Sequence, residues 1–383
     1  MLMMGAPSLA RDIYMMGKHC PSMISTEGND FVSLYSLATD TGRDIVPDYQ
    51  WFVMYYGDMD YAHAHISSII RAYSQSIYSR QQGALLIRNA LSYLVLSMAS
   101  LQRLFGAISL CNSGALTSAR NLWNEAAALL IGSLEGRSEE GVLDNDGYLA
   151  HFWANYLCEP FGVCDTGYSR VNHVIMILLN SGRAALDAKQ CSIVEEHVSQ
   201  ISKKLLIPFI QGSLLYSSAN MVIHSGDSRT FDFLHTSGYI SSRVILPYVN
   251  LVNRREVALL DRYLNFDMEM NYDRNSNIKV FQIIEETISK LSGIDCSDVG
   301  YLKNMQLGVC PGKPGDPQLQ SGGSMDSLWV GFLLFAILFA LLAWIVLQRG
   351  RKPSSNENLG NVQKDEEEIS FPNPVTTIQH QID

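Results

Sequence analysis

Charge is scarce in this chain. Only 17% of its 383 residues are Asp, Glu, Lys or Arg, against 47% hydrophobic, a balance that excludes a disordered or fibrous polymer and allows one large core or two modest ones. Basic residues are the scarcer sign, 28 against 38 acidic, for a formal charge of -10. Phosphate binding needs a basic surface, so nucleic acid is excluded as the main partner; an acidic surface tolerates cations. The sequence also lacks a GxSxG elbow, an HExxH pair and a Walker loop, and it offers no convincing nucleophile and base, so an enzyme is not expected. The seven cysteines at 20, 111, 158, 164, 191, 296 and 310 never form the CxxC pairs of a structural zinc site, which makes disulfides the better reading. Asn-x-Ser/Thr acceptors are absent, so glycosylation gives no check on topology.

Long apolar runs are present, and one is decisive. Leu328 to Leu347, LWVGFLLFAILFALLAWIVL, carries no charge over twenty residues, and a helix of that length spans about 30 Å, one bilayer core. Trp329 and Trp344 near its ends suit an interfacial belt, and Arg349, Arg351 and Lys352 follow directly, so the C-terminus is expected in the cytoplasm and the preceding chain outside it. Disulfides persist in such a compartment. The first twenty residues show no basic region followed by an unbroken apolar stretch, so either the gene model is incomplete or residues 1 to about 45 are partly a non-native start.

The composition divides the chain into an uncertain segment at 1–44, a densely apolar body at 45–310, a Pro, Gly and Ser rich stalk at 311–327, the membrane helix at 328–347 and a polar cytoplasmic tail at 348–383. Apolar spacing within the body is helical. Residues 84–110 are apolar nearly all round and read as the central helix of a bundle, not as a second membrane span, because Arg88, Asn89, Ser92, Gln102 and Arg103 interrupt them. Further helices are expected at 119–134, 170–187, 192–219, 238–250, 254–264 and 278–291. Ser192 with Glu195 reads as a capping box, and Pro208 should kink the helix they start. The fold class is therefore all-α, a helical bundle ectodomain followed by one transmembrane helix.

Hard oxygen donors are concentrated in Tyr55 to His65, YYGDMDYAHAH, which holds three tyrosines, two aspartates and two histidines in eleven residues. Carboxylate and phenolate suit a small, highly charged cation such as ferric ion. Tyr56, Asp60 and Tyr61 are candidate ligands; alternatively the two rings pack on the core while Asp58 and Asp60 cap the next helix. His63 and His65, two apart, would leave a helix on different faces. Glu125 lies within a helix, where it either faces inward or pairs with an arginine. Cys158 and Cys164 enclose a five-residue turn and form one expected disulfide, Cys296 with Cys310 a second. Cys111 with Cys191 would cross-link two helices and leave Cys20 unpaired.

Several segments together resemble the algal iron-assimilation domain, the family that includes the phytotransferrins. They are Tyr55-Tyr56-Gly57 with Asp60-Tyr61-Ala62, Trp123-Asn124-Glu125-Ala126, Gly132-Ser133-Leu134-Glu135-Gly136, Cys158 to Cys164, Ile207-Pro208 with Gln211-Gly212 and Tyr216, Val244-Ile245-Leu246-Pro247, and Gly293 to Gly300. Their order covers roughly 49–310. The resemblance implies a mostly helical extracellular domain that binds Fe(III), with carbonate in phytotransferrins, followed by endocytosis. It adds Glu135 to the ligand candidates. The chain departs from the family at His151, where a tyrosine is usual, and at Tyr156-Leu157, where a Lys-Arg pair is usual. His151 and Tyr148 then become candidate ligands, and Arg137 or Arg170 candidate partners for the anion. The tail would meet the endocytic machinery. A membrane-anchored structural or adhesion protein without metal is the alternative.

Overall fold

The computed structural model describes residues 7–17, 33–132, 149–222, 228–266, 274–291, 293–302 and 307–308. All belong to one unit, Met1–Pro311; residues 312–383 form a separate unit outside the described residues. The stalk, the expected membrane helix at 328–347 and the tail therefore lie outside the described residues.

The described chain is mostly helical. Helices α1 (Pro7–Met16), α2 (Leu34–Ala38), α3 (Tyr49–Tyr56) and α4 (Tyr61–Ser74) precede the long α5 (Arg80–Asn112). Then come α6 (Leu116–Ile131), α7 (Ala150–Phe161), α8 (Arg170–Asp187), α9 (Cys191–Lys204), α10 (Leu206–Val222), α11 (Ser228–Val252), α12 (Arg254–Tyr263), α13 (Arg274–Lys290) and the single turn α14 (Cys296–Val299). Two antiparallel hairpins are added. Strand β1 (Cys164–Asp165) pairs with β2 (Tyr168–Ser169), and β3 (Tyr301–Leu302) with β4 (Leu307–Gly308).

α5 is the helix read from its sequence as central. Ser79 and Gln82 close a capping box at its start, satisfying two otherwise orphaned backbone groups. It is long and apolar enough to cross a membrane, but 67% of its most apolar stretch is buried in the protein, as a core helix requires. Its middle, Leu91–Leu96, widens to a π-helix, which turns Tyr93 onto Trp153 and Phe209 at ring separations of 5.3 and 4.9 Å. Asn89, fully buried, donates to Ser237 Oγ of α11 at 3.1 Å, while Arg103 pairs with Asp40 and with Glu125 of α6.

Close helix crossings depend on two glycines. A Cβ on Gly182 of α8 would overlap the Trp123 ring of α6, and one on Gly238 of α11 would overlap Tyr216 of α10. Both aromatic residues are almost fully buried. Trp123 also donates its ring N–H to the Leu179 carbonyl at 3.0 Å, as a buried indole must.

Two expectations need correction. The stretch 192–219 is not one kinked helix: α9 ends at Lys204 and α10 starts at Leu206. Pro208 supplies no N–H and its ring would strike the carbonyl four residues back, that of Lys204, so the chain restarts there. The capping box at Ser192 does not form either; α9 begins at Cys191, with Gln190 ahead of it and no side-chain cap.

The N-terminal residues join the fold. Tyr14 of α1 is 2% exposed in the common core, its hydroxyl 3.0 Å from His63 Nδ1. The packed body thus reaches back beyond residue 45. Disulfides join Cys111 to Cys191, tying the end of α5 to the start of α9, and Cys158 to Cys164, tying α7 to β1. Cys296 is also disulfide-bonded, and its expected partner Cys310 lies outside the described residues.

Candidate functional site

The donor-rich stretch folds as a helical hairpin. α3 ends at Tyr56 because Gly57 adopts φ 69°, the left-handed conformation that costs a glycine least. Asp58 then accepts the Asp60 N–H at 2.8 Å, and α4 begins at Tyr61. Tyr56 and Tyr61 are brought together, their rings stacked at 5.3 Å, with Phe52 5.1 Å beyond. Tyr61 is a core residue, 3% exposed, and Tyr56 is partly buried against that core. Tyr56 donates to the Arg243 carbonyl at 2.5 Å, and burial holds the phenols of Tyr56 and Tyr61 far above their ordinary value. A phenol must lose its proton to bind a metal, and that shift opposes the loss.

The other candidates stand in separate neighbourhoods. Asp60 makes no capping bond and instead receives Arg43 Nη2 at 2.8 Å, while the same guanidinium bonds the Ala38 and Asp40 carbonyls. Glu125 accepts from Arg103 at 3.1 Å on the surface. His151 is 5% exposed, with Nε2 2.7 Å from the Tyr168 hydroxyl. Asn172 donates to the His151 carbonyl at 2.7 Å, and burial pushes the imidazole down to about 4. Arg170 meets Asp165 at 3.4 Å on exposed ground. Glu135, Arg137 and Tyr148 lie outside the described residues. Among the described residues no three His, Cys, Asp or Glu side chains gather as a metal group.

A different set of donors does meet, and it includes tyrosine. Tyr239 and Arg243 are four apart on α11 and so share one face; Arg243 lies over the Tyr239 ring, 4.6 Å from its centroid. Asn253, at φ -151° and ψ 88°, leaves the helical region and ends α11. Asp261 of α12 then comes to 2.6 Å from Arg243 Nη1. From α4, the His65 ring lies 5.8 Å from that of Tyr239. From α3, Tyr55 stands 4.8 Å from Tyr56, within the electrostatic reach of Asp261, Arg243 and Tyr239.

The charges are poised by burial. Arg243 is 8% exposed. Burial alone would lower its guanidinium, but Tyr239, Tyr56 and Asp261 outweigh that and raise it. Burial, and then Arg243, push His65 down to about 3, so at neutral pH it is an uncharged nitrogen donor. Burial, reinforced by Asp261, pushes Tyr55 up to about 12, a shift that opposes loss of its proton as it does for Tyr56 and Tyr61. Arg243 Nη2 and His65 Nε2 are buried without a hydrogen-bond partner. Each such group costs about 1–3 kcal/mol, as do buried atoms of Gln102, Trp153 and His197 outside this cluster.

Tyr55 and His65 belong to the stretch the sequence singled out. Tyr239, Arg243 and Asp261 were missed, though an arginine inside the apolar run SSRVILPY is itself a signal, because a buried charge needs a partner. Comparison with family models, with curated proteins and with solved structures returns no match.

Proposed function

We propose that this chain is a cell-surface protein that binds ferric ion for uptake, tethered by the helix at 328–347 with its C-terminus in the cytoplasm and internalised by endocytosis. The observation that carries the reading is the meeting of Tyr55, Tyr239, Asp261 and His65 from four helices around Arg243. Two phenols, a carboxylate and a neutral imidazole are hard or borderline donors suited to Fe(III). The set replaces the one expected from sequence, whose members hold structural partners or lie outside the described residues. The cross-links Cys111–Cys191 and Cys158–Cys164 favour an oxidising compartment.

Equilibrium dialysis against ferric nitrilotriacetate, with and without bicarbonate, tests this. Wild type should retain iron, Tyr55→Phe and Asp261→Asn should each lose at least tenfold in affinity, and Tyr61→Phe should bind as wild type. Equal retention by all four proteins would reject the site.

The second reading, a membrane-anchored structural or adhesion protein, is favoured by one observation. Asp60, Glu125, His151 and Arg170 each have a neighbouring protein side chain as partner. Under it, wild type takes up no iron in that dialysis.

A further inference from the structure

An apolar groove opens on the surface between α3 and α11, lined by Trp51 and Met54 of α3, Pro247, Asn250 and Leu251 of α11, and Arg254 at the start of α12. A proline builds it. Pro247 has no N–H, so the Arg243 carbonyl four residues back loses its helical partner, and Tyr56 of α3 donates its hydroxyl there at 2.5 Å. Trp51 is set against Tyr248, edge to face at 5.5 Å. The two helices are thereby fixed side by side, and Met54 and Leu251 remain 62% and 50% exposed. An apolar face with a polar rim marks an interaction site.

Charge at the rim selects the partner. Arg254 and Arg255 are both exposed and open α12, where the positive end of the helix dipole repels them, so they serve the helix poorly and suit an anion outside it. Tryptophan, aliphatic side chains and arginine side by side are the composition that settles at a bilayer surface, with the apolar groups at the acyl boundary and the guanidinium on phosphate. The groove is too small for a lasting protein contact, which buries about 800 Å² on each partner. A tethered body needs less. Residues 311–327 join the body to the span read at 328–347, and a chain of that length reaches at most about 60 Å, so the body meets the bilayer at high effective concentration.

We propose that the face formed by Trp51, Met54, Leu251 and Arg254 docks the body onto the lipid surface of the membrane that anchors the chain, with the arginine on headgroup phosphate. The proposal rests on the anchored reading above and adds the face that meets the bilayer.

The full chain, reconstituted into phosphatidylcholine and phosphatidylglycerol vesicles doped with a photoreactive phosphatidylcholine, tests it when lipid cross-links are mapped by mass spectrometry. Wild type should cross-link at 51–54 and 250–254 as well as within 328–347. Met54→Asp with Leu251→Asp should lower labelling of the face about tenfold, Arg254→Glu should lower it too, and Ile177→Asp, at an exposed position on α8, should leave it unchanged. Cross-links within 328–347 and none on the face overturn the docking and leave the anchor standing. Cross-links on the face and none within 328–347 uphold the docking and refute the anchor. Labelling of the face that survives the Met54, Leu251 double variant, or chain-to-chain cross-links there in place of lipid, overturns the proposal. If the double variant fails to fold by circular dichroism, the wild-type map and Arg254→Glu still decide.

Discussion

Arg243 and Asp261 are an unequal pair, one side chain nearly sealed from water and the other 39% exposed. Removing the carboxylate leaves a buried guanidinium with one acceptor fewer, so Asp261→Asn should lower stability by about 2 kcal/mol in urea denaturation. Tyr55→Phe keeps the ring contact with Tyr56 and should leave stability within about 0.5 kcal/mol while removing iron binding. Histidine sets the acid limit. Burial holds His151 and His235 each at about 4, against about 6.5 in an unfolded chain. The unfolded state therefore binds more protons over that interval. The stabilisation from keeping these rings neutral is fully present above about pH 6.5 and is lost as pH falls towards 4. His235 lies between Tyr216 and Phe266, at ring separations of 5.1 and 4.2 Å. His235→Phe preserves that stacking, and the melting temperature of the variant should fall less steeply than wild type between pH 6.5 and 4.

Helix crossings impose the next constraint. α10 and α11 approach closely because Gly238 presents no side chain to Tyr216, so Gly238→Ala should cost about 1–3 kcal/mol by overpacking. Ser79→Ala, which opens the capping box of α5, should cost about 1 kcal/mol in the same denaturation assay. Long helices with clear apolar periodicity were legible in the sequence: α8 occupies 170–187 as expected, and α5 extends the expected 84–110 by one turn at its start. The hairpin of α3 and α4 was legible as a cluster of donors but not as helices, because its aromatic residues appear on several faces of short segments. Pro208 was expected to bend a helix and instead separates α9 from α10. The difference depends on whether neighbouring groups can satisfy the freed carbonyls, which sequence does not show. The candidate site was half legible. Tyr55 and His65 lie ten residues apart in one dense stretch, whereas Arg243 and Asp261 reach them only through the packing of α11 on α3 and the fold-back of α12.

At the scale of the molecule, cross-links and terminal segments close the body. Cys111–Cys191 joins residues 80 apart in sequence, and its removal as the double alanine variant should cost about 2–5 kcal/mol. Cys158–Cys164 spans 6 and should cost less on the entropic account, since loop-closure entropy grows with loop length. The two losses should be additive within about 0.5 kcal/mol if the bridges act independently. The segment after α13 is fastened separately, by Lys204 on Asp298 and by Gln211 donating to the Val299 carbonyl at 2.8 Å. Tyr14 fastens the N-terminal helix at the other end of the sequence. A body tied in this way carries Tyr55, His65, Tyr239 and Asp261 on four helices, and the proposed iron binding requires that they act together.

The visible absorption spectrum during ferric titration of the full chain, with bicarbonate present, bears most directly on that claim. The account predicts a phenolate-to-iron charge-transfer band that saturates at one ion per chain, disappears in the Tyr55→Phe, Tyr239→Phe double variant and persists in Tyr61→Phe. A spectrum without the band, or a band that survives the double variant, would contradict it.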